Sequence, residues 1–357
     1  MELFRETVEK HRQVKPSTLK LYETNIKKIC KEISVEYLGP HIFCDKEKIK
    51  NVINKFNVHK RRLYYSTILI ALSPKGKNMP LNKYKNLYMF YNKLLQEAND
   101  EYMTAKVQQK QNEKEISNWV SYDKIRQKAL ILGENILNSY DLYKVQKALV
   151  SALFSDLPPR RADYAEMSII TEKEFIKLYL QEKIVRNFVK TYGIQPKPEH
   201  LSITKNNYLV VTNEEDLKPI MFSMGNEKNK VKAKQSNNAG EVKFSCYLVV
   251  DKDMKLYKLL HHFLQLLKQA FNNDVVGQSL LYDRNKQPMT RNGLSKYIAN
   301  IFTFGHKKVG ITMLRHIFIS EFYATNPPLV QKLKIAEHMN HSVTVAESIY
   351  AKRLKNP

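Results

Sequence analysis

Apolar positions in the first hundred residues recur every three or four places. Leu19, Tyr22, Ile26, Ile29, Cys30 and Ile33 form one such stripe behind Pro16, with Ser17 and Thr18 available as caps. Further helical stripes cover roughly 45–56, 59–72 and 83–98, punctuated by Pro40, Pro74, Gly76 and Pro80, which predicts a small helical bundle. Residues 99–118, NDEYMTAKVQQKQNEKEISN, are polar and Gln-rich and read as a linker with partial helical character. The expected division is therefore a helical domain over 1–98, a linker over 99–118 and a second domain over 119–357. In that second domain, helical patterns at about 121–138 and 142–155 run into Leu157-Pro158-Pro159-Arg160-Arg161, where the prolines must end the helix. The period then changes: Tyr208–Thr212, Pro219–Ser223 and Val242–Val250 are β-like and separated by turn-prone charged stretches, as in a small antiparallel sheet. Helical patterns return at 253–270, 290–302, 311–325, 328–339 and 342–353. The predicted class is mainly α with a small antiparallel β-sheet, an N-terminal helical bundle followed by an α+β domain dominated by helices.

Charge changes this picture from a generic helical protein to one with a polyanionic partner. Lys and Arg number 59 against 35 Asp and Glu, a formal charge of +24, far more than solubility requires. Between Lys48 and Gln96 stand eleven basic residues and no acid, interleaved with Tyr64, Tyr65, Tyr84, Tyr88 and Tyr91. A phosphate-binding face including Lys60, Arg61 and Arg62 is the functional interpretation; a solvated basic surface is the plainer one, and the tyrosines are expected to pack rather than stack on bases. No stretch approaches a membrane span, and MELFRETVEK lacks the apolar core of a signal peptide. Cys30, Cys44 and Cys246 are odd in number and scattered, which points to a reducing, intracellular compartment. The sequence holds no Walker loop, no GxGxxG and no HExxH.

Breaking and rejoining a DNA backbone without ATP requires a nucleophile that conserves the phosphodiester energy as a covalent link, and a phenol can do so. The phosphorane transition state needs arginines on its non-bridging oxygens and a proton donor for the departing 5′-oxygen. A set of this kind is present in order: Arg160, then Arg315 in the apolar helical run Ile311 to Phe322, then His341 26 residues later, then Tyr350 nine after that. His338 and His341 lack an accompanying carboxylate or cysteine and do not read as a metal site. His316 and the His261-His262 pair read as structural or exposed.

The run His338-Met339-Asn340-His341-Ser342-Val343 through Ser348-Ile349-Tyr350-Ala351-Lys352 resembles the "GHS…YAK" segment of the tyrosine recombinase and phage-type integrase family. Arg160-Arg161-Ala162-Asp163-Tyr164 resembles that family's first-arginine motif, with an acidic residue three places on. The likeness covers about 120 to 357, with a shape-only match for the bundle. It implies the family's catalytic fold, with Arg160 and Arg315 clamping the scissile phosphate, His341 assisting and Tyr350 attacking to give a 3′-phosphotyrosyl link. The register selects Arg160 and leaves Arg161 as a DNA contact, the exchanged assignment remaining open. A hairpin lysine supplies the leaving-group proton in this family, which points within Lys228–Lys234 to Lys234, with Lys232 second. Two departures stand out: Thr312 occupies the place, three before Arg315, where the family often has His, and would either contact phosphate through its hydroxyl or leave that contact to another group. Asn340 replaces the usual glycine, a substitution the left-handed region tolerates.

The resemblance further implies no cofactor, double-stranded DNA as partner, a homotetramer on two duplexes, no membrane and a DNA-containing compartment such as a nucleoid, nucleus or viral factory. The Lys-rich composition is compatible with a viral or mobile-element origin. Seven residues follow Tyr350, too few for a long tail exchanged between neighbours, so other interfaces are expected to join the copies. A catalytically decayed DNA-binding protein, and a type IB topoisomerase or telomere resolvase, are the alternatives.

Replacing Lys60, Arg61 and Arg62 by Ala is expected to flatten the salt dependence of DNA binding by about one unit for each phosphate no longer neutralised. An unchanged slope in a salt titration would take this segment off the DNA.

Overall fold

The computed structural model describes residues 2–12, 14, 16–76, 80–192, 203, 206–225 and 245–352. The chain divides into two compact units, Met1–Gln108 and Gln109–Pro357.

Among its described residues the first unit has only helical elements: α1 (Glu2–His11), α2 (Pro16–Ile33), a 3-10 turn at Pro40–Cys44, α3 (Lys46–Asn54), α4 (Val58–Leu72), a 3-10 turn at Asn82–Tyr84 and α5 (Lys85–Val107). Asp45 and Asn57 cap α3 and α4 by accepting from the Lys48 and Lys60 amides. All five tyrosines of the acid-free stretch are buried, as their expected packing role requires, and Tyr91 donates its hydroxyl to the Phe43 carbonyl at 2.8 Å. Helix α5 continues to Val107, so the first part of the expected linker is helix.

The second unit begins with α6 (Glu113–Asn118), α7 (Tyr122–Leu132) and α8 (Leu142–Ser155). Then come β1 (Ser168–Thr171), α9 (Glu172–Tyr192), β2 (Asn207–Val211), β3 (Pro219–Gly225) and β4 (Ser245–Val249). It continues through α10 (Lys255–Ala270), α11 (Arg291–Ile301), a minimal hairpin of β5 (Thr303–Phe304) and β6 (Lys307–Lys308), α12 (Ile311–Ala324) and α13 (Leu329–His338). A helical turn at Val343–Val345 runs on into a π-type turn at Ala346–Tyr350. The expected small sheet is present and is mixed. Strands β2, β3 and β4 pair antiparallel, and β1 joins the edge parallel to β2, the two linked by a crossover that includes α9.

Alternation along the strands sets the two faces of the sheet. Leu209, Val211, Phe222 and Met224 point into the main core with Phe154 of α8 and Leu260, Phe263 and Leu267 of α10. Tyr208, Val210 and Ile170 pack on the other side with Phe175 of α9. Tyr164 lies edge-on between Phe154 and Phe222, with ring centroids 5.6 and 5.5 Å away, and so fixes the 3-10 turn Ala162–Tyr164 that follows the double arginine. Helix α12 is apolar on two sides: Ile311, Leu314 and Ile317 enter the main core, while Ile319 joins a small cluster with Met339, Ala346, Tyr350 and Ala351. Arg315 and His316 are buried between these two clusters.

Inside the main core, Gln146 of α8 donates to the Tyr282 carbonyl at 2.8 Å and accepts from the Tyr282 amide at 3.0 Å. Gln146→Ala leaves both backbone groups buried without this partner, and is expected to lower stability by roughly 2–4 kcal/mol. The check is the urea midpoint at unchanged m-value; a loss below about 0.5 kcal/mol would mean that the pair is dispensable.

Candidate active site

The site is assembled around the C-terminus of α13. Asn340 takes the left-handed conformation at φ 55°, as expected for its place in the turn. The His341 amide then bonds the Ala336 carbonyl and the Asn340 amide the Glu337 carbonyl, both at 3.0 Å, which closes the helix as a Schellman motif. The last two carbonyls, of His338 and Met339, are left over, and the two motif arginines take them. Arg160 donates from Nη1 to the His338 carbonyl. Arg315 donates from Nη2 to Met339 at 3.1 Å and from Nη1 to the Pro159 carbonyl at 2.7 Å. The partial negative charge of a helix C-terminus adds to the attraction.

Each arginine is nearly sealed from solvent, Arg160 at 3% and Arg315 at 1% exposure. Arg160 is oriented by Asp163, whose carboxylate accepts from its Nε at 3.1 Å and from Arg291 at 3.2 Å. The Asp163 carbonyl accepts from the Asn207 side-chain amide at 2.7 Å, and Asn207 in turn accepts from the Gly225 amide at 3.0 Å. Asp163 thereby ties Arg160 to the ends of β2 and β3. Arg315 has no ion-paired carboxylate of this kind among the described residues, and burial, the chief influence, draws its pKa down.

Tyr350 is buried at 6% and surrounded by cations and imidazoles. Arg315 lies over its ring at 4.5 Å, Arg161 donates to its hydroxyl at 3.4 Å, and the His341 ring stacks at 5.1 Å between centroids. Burial would raise the phenol pKa, but the charge of Arg315 and the bond and charge of Arg161 together outweigh it and hold the pKa below the ordinary value. His341 is half-buried, with Nδ1 3.1 Å from the Ser342 carbonyl. Since a carbonyl only accepts, Nδ1 carries the proton and Nε2 is a bare acceptor in the neutral ring. Burial first, then the Arg315 charge, push its pKa down to about 4, so the ring is neutral at pH 7. Among the described residues, Arg315 Nε and His341 Nε2 are buried side-chain atoms with no hydrogen-bond partner. The arrangement holds an activated phenol beside a fixed guanidinium and a proton acceptor, which suits nucleophilic attack on an anionic centre.

Of the residues singled out from sequence, Arg160, Arg315, His341 and Tyr350 are brought together, and Arg161, itself exposed, reaches the phenol. Thr312 is exposed on the first turn of α12, one turn ahead of Arg315. Lys234 and Lys232 lie outside the described residues, in the stretch between the paired positions Gly225 and Ser245. In the first unit, Arg61 forms an ion pair with Glu101 at 2.6 Å, and Arg62 bonds Asn99 and stacks on Tyr102 at 3.9 Å. Lys60 sits 5.7 Å from the Phe56 ring.

Three further residues, none of them given a role in the site from sequence, lie against the Tyr350 segment. His316 is buried with Nδ1 3.1 Å from the Tyr350 carbonyl, and Glu115 and Lys352 stand next to it. The N-x-x-E pattern of Asn112 and Glu115 is a capping-box signature, but nothing local announces its partner about two hundred residues away. Among the described residues no group of three His, Cys, Asp or Glu is placed to hold a metal ion, and no helix is long and apolar enough to cross a membrane.

No protein-family model matches the sequence, and no curated protein matches it. The crystal structure of XerA recombinase is similar at 12% identity, over 99% of this chain and 94% of that one, with a TM-score of 0.35.

The histidines make stability depend on pH. His341 binds its proton at about 4 in the folded chain against 6.5 ordinarily, and burial lowers His316 and His338 as well. The unfolded chain takes up protons that the folded one refuses, so this contribution is complete above about pH 6.5 and is lost as pH falls towards about 4. The Tm is therefore expected to drop across that window, and His341→Gln should make the drop shallower. Identical slopes in both proteins would show that His341 is not held neutral by the fold.

Proposed function

We propose that the chain is a tyrosine recombinase that cleaves and rejoins double-stranded DNA through a 3′-phosphotyrosyl intermediate. The observation that carries this is the meeting of the Tyr350 phenol with Arg161, Arg315 and His341, beside two buried nitrogens, Arg315 Nε and His341 Nε2, that have no protein partner among the described residues. A phosphodiester placed there would accept hydrogen bonds from the fixed guanidiniums of Arg315 and Arg160. His341, whose neutral ring leaves Nε2 as a bare acceptor, assists by hydrogen bond or proton transfer. The Tyr350 oxygen then bonds to phosphorus as the bond from phosphorus to the 5′-oxygen breaks, and Lys234 supplies the proton that makes the leaving group a 5′-hydroxyl. The link conserves the phosphodiester energy, so a 5′-hydroxyl from a second duplex can reverse the step without ATP or a cofactor.

In this proposal Arg160 clamps the phosphate and is set by Asp163, while Arg161 tunes the phenol as well as meeting DNA. Thr312 contributes a hydroxyl to the phosphate, and Lys60, Arg61 and Arg62 add backbone contacts from the helical domain, 1–98, joined by 99–118 to a catalytic domain, 119–357. Four copies on two duplexes, a DNA-containing compartment and a viral or mobile-element setting complete it. The buried carbonyl bonds of both arginines favour a second possibility, a DNA-binding scaffold that no longer cleaves. A topoisomerase or telomere resolvase would share the chemistry without strand exchange.

The test uses nicked suicide duplexes with randomised flanks, scoring protein–DNA adducts that survive denaturation. The wild type is expected to form an adduct, Tyr350→Phe none, and Arg315→Ala roughly a hundredfold to a thousandfold less. DNA binding with no adduct would select the scaffold, an adduct persisting in Tyr350→Phe would displace the nucleophile, and relaxation of supercoils regardless of sequence would select the topoisomerase.

A further inference from the structure

The residues just ahead of the second unit's first long helix touch the Tyr350 segment at two places. Gln109 donates from its side chain to the Glu347 carbonyl at 2.7 Å. Six residues on, Glu115 uses one carboxylate oxygen to accept from the Asn112 amide at 2.9 Å, completing the capping box of α6. Its other oxygen lies 3.5 Å from His316 Nε2 and 3.5 Å from Lys352 Nζ. All three side chains are nearly sealed, at 10% for Glu115, 9% for His316 and 11% for Lys352. From His316 the other ring nitrogen reaches the Tyr350 carbonyl at 3.1 Å, and the Lys352 amide donates to Ser320 at 2.9 Å.

The chemistry of this group is constrained. The Tyr350 carbonyl can only accept, so His316 Nδ1 carries the proton, and since burial lowers the His316 pKa, Nε2 is a bare acceptor that gives the Glu115 carboxylate no hydrogen bond. A buried carboxylate is tolerated only when paired, and the Lys352 ammonium at 3.5 Å provides the countercharge. The Glu115–Lys352 pair therefore holds the chain just after the phenol at residue 352, while Gln109 holds it before the phenol at the Glu347 carbonyl and His316 bonds the Tyr350 carbonyl independently. Misplacing a nucleophile by about 1 Å can cost about a hundredfold in rate.

We propose that Glu115 is a positioning residue for the nucleophile, holding the Tyr350 segment through its ion pair with Lys352. The segment 109–118, which enters from the end of the first unit's sequence, thereby sets the attacking geometry of the phenol. This rests on the assignment of Tyr350 as nucleophile, whereas the hold itself does not.

Glu115→Gln keeps an oxygen for the Asn112 amide, so α6 retains its cap, and loses only the charge that engages Lys352. On the full-length chain, two measurements follow: the single-turnover rate of adduct formation at saturating nicked duplex, with the Kd measured alongside, and hydrogen exchange of backbone amides. Glu115→Gln is expected to slow adduct formation by roughly 10–100-fold with Kd within about twofold. Exchange should quicken in residues 343–352 and nowhere else. Lys352→Met should do the same, and the double variant should be no slower than either alone, because both remove one interaction. Wild-type rate in Glu115→Gln, a parallel loss of DNA affinity, faster exchange throughout the second unit, or additive effects in the double variant would each overturn the proposal. If the wild type forms no adduct, the recombinase proposal fails; localised faster exchange in Glu115→Gln then still upholds the hold, and unchanged exchange overturns it.

Discussion

Two backbone carbonyls and one guanidinium govern the second unit's site. Arg315 is a cation buried to 1% exposure, tolerated because Pro159 and Met339 each present an oxygen to it. Those oxygens are free for a reason: the prolines before Arg160 end α8 without satisfying their own acceptors, and the Schellman closure at Asn340 uses the Ala336 and Glu337 carbonyls and leaves the next two. A single side chain thus ties three separated pieces of chain together, the loop after α8, the middle of α12 and the end of α13. The small apolar cluster holding Tyr350 packs directly on this joint. Arginine suits the place because its planar fork can serve two acceptors while three further N–H groups remain.

Much of this was legible in the sequence because it was written locally. Helical periodicity located most of the helices, and the Pro-Pro break before Arg160 located the loop. Asn340 marked a left-handed turn by its residue type. The strand β1 was not legible, since four residues wedged between a 3-10 turn and a long helix show no alternation of their own, and its pairing is parallel and non-local. Helix α9 was hidden by an apolar pattern that leaves Ile176, Leu180 and Ile184 on the surface. The helical character expected in the linker is the continuation of α5, because polarity alone does not end a helix that lacks Gly or Pro.

The site shows the same division between local and long-range information. Arg160, Arg315, His341 and Tyr350 carry spacing that can be read along the chain, and they do converge. Charge bookkeeping along the sequence was less informative. The acid-free stretch from Lys48 to Gln96 looks uncompensated, yet Arg61 finds Glu101 five residues beyond its end, one helix away. His316 reads from sequence as structural or exposed, and only the three-dimensional return of the chain gives it the Tyr350 carbonyl. Lys234 belongs to neither class, being a register argument outside the described residues.

The π-type turn at Ala346–Tyr350 gives the nine-residue interval between His341 and Tyr350 a geometric meaning. The Ala351 amide reaches back five residues to the Ala346 carbonyl at 2.8 Å, so this turn holds one residue more than an α-helical turn would. An ordinary helix advances by roughly 100° per residue. Removing one residue here would therefore swing the phenol about a quarter-circle away from Arg315 and His341 while leaving the helix intact. The extra residue sets angular phase, and a spacing that looks like a mere count along the chain is the means by which the hydroxyl is aimed.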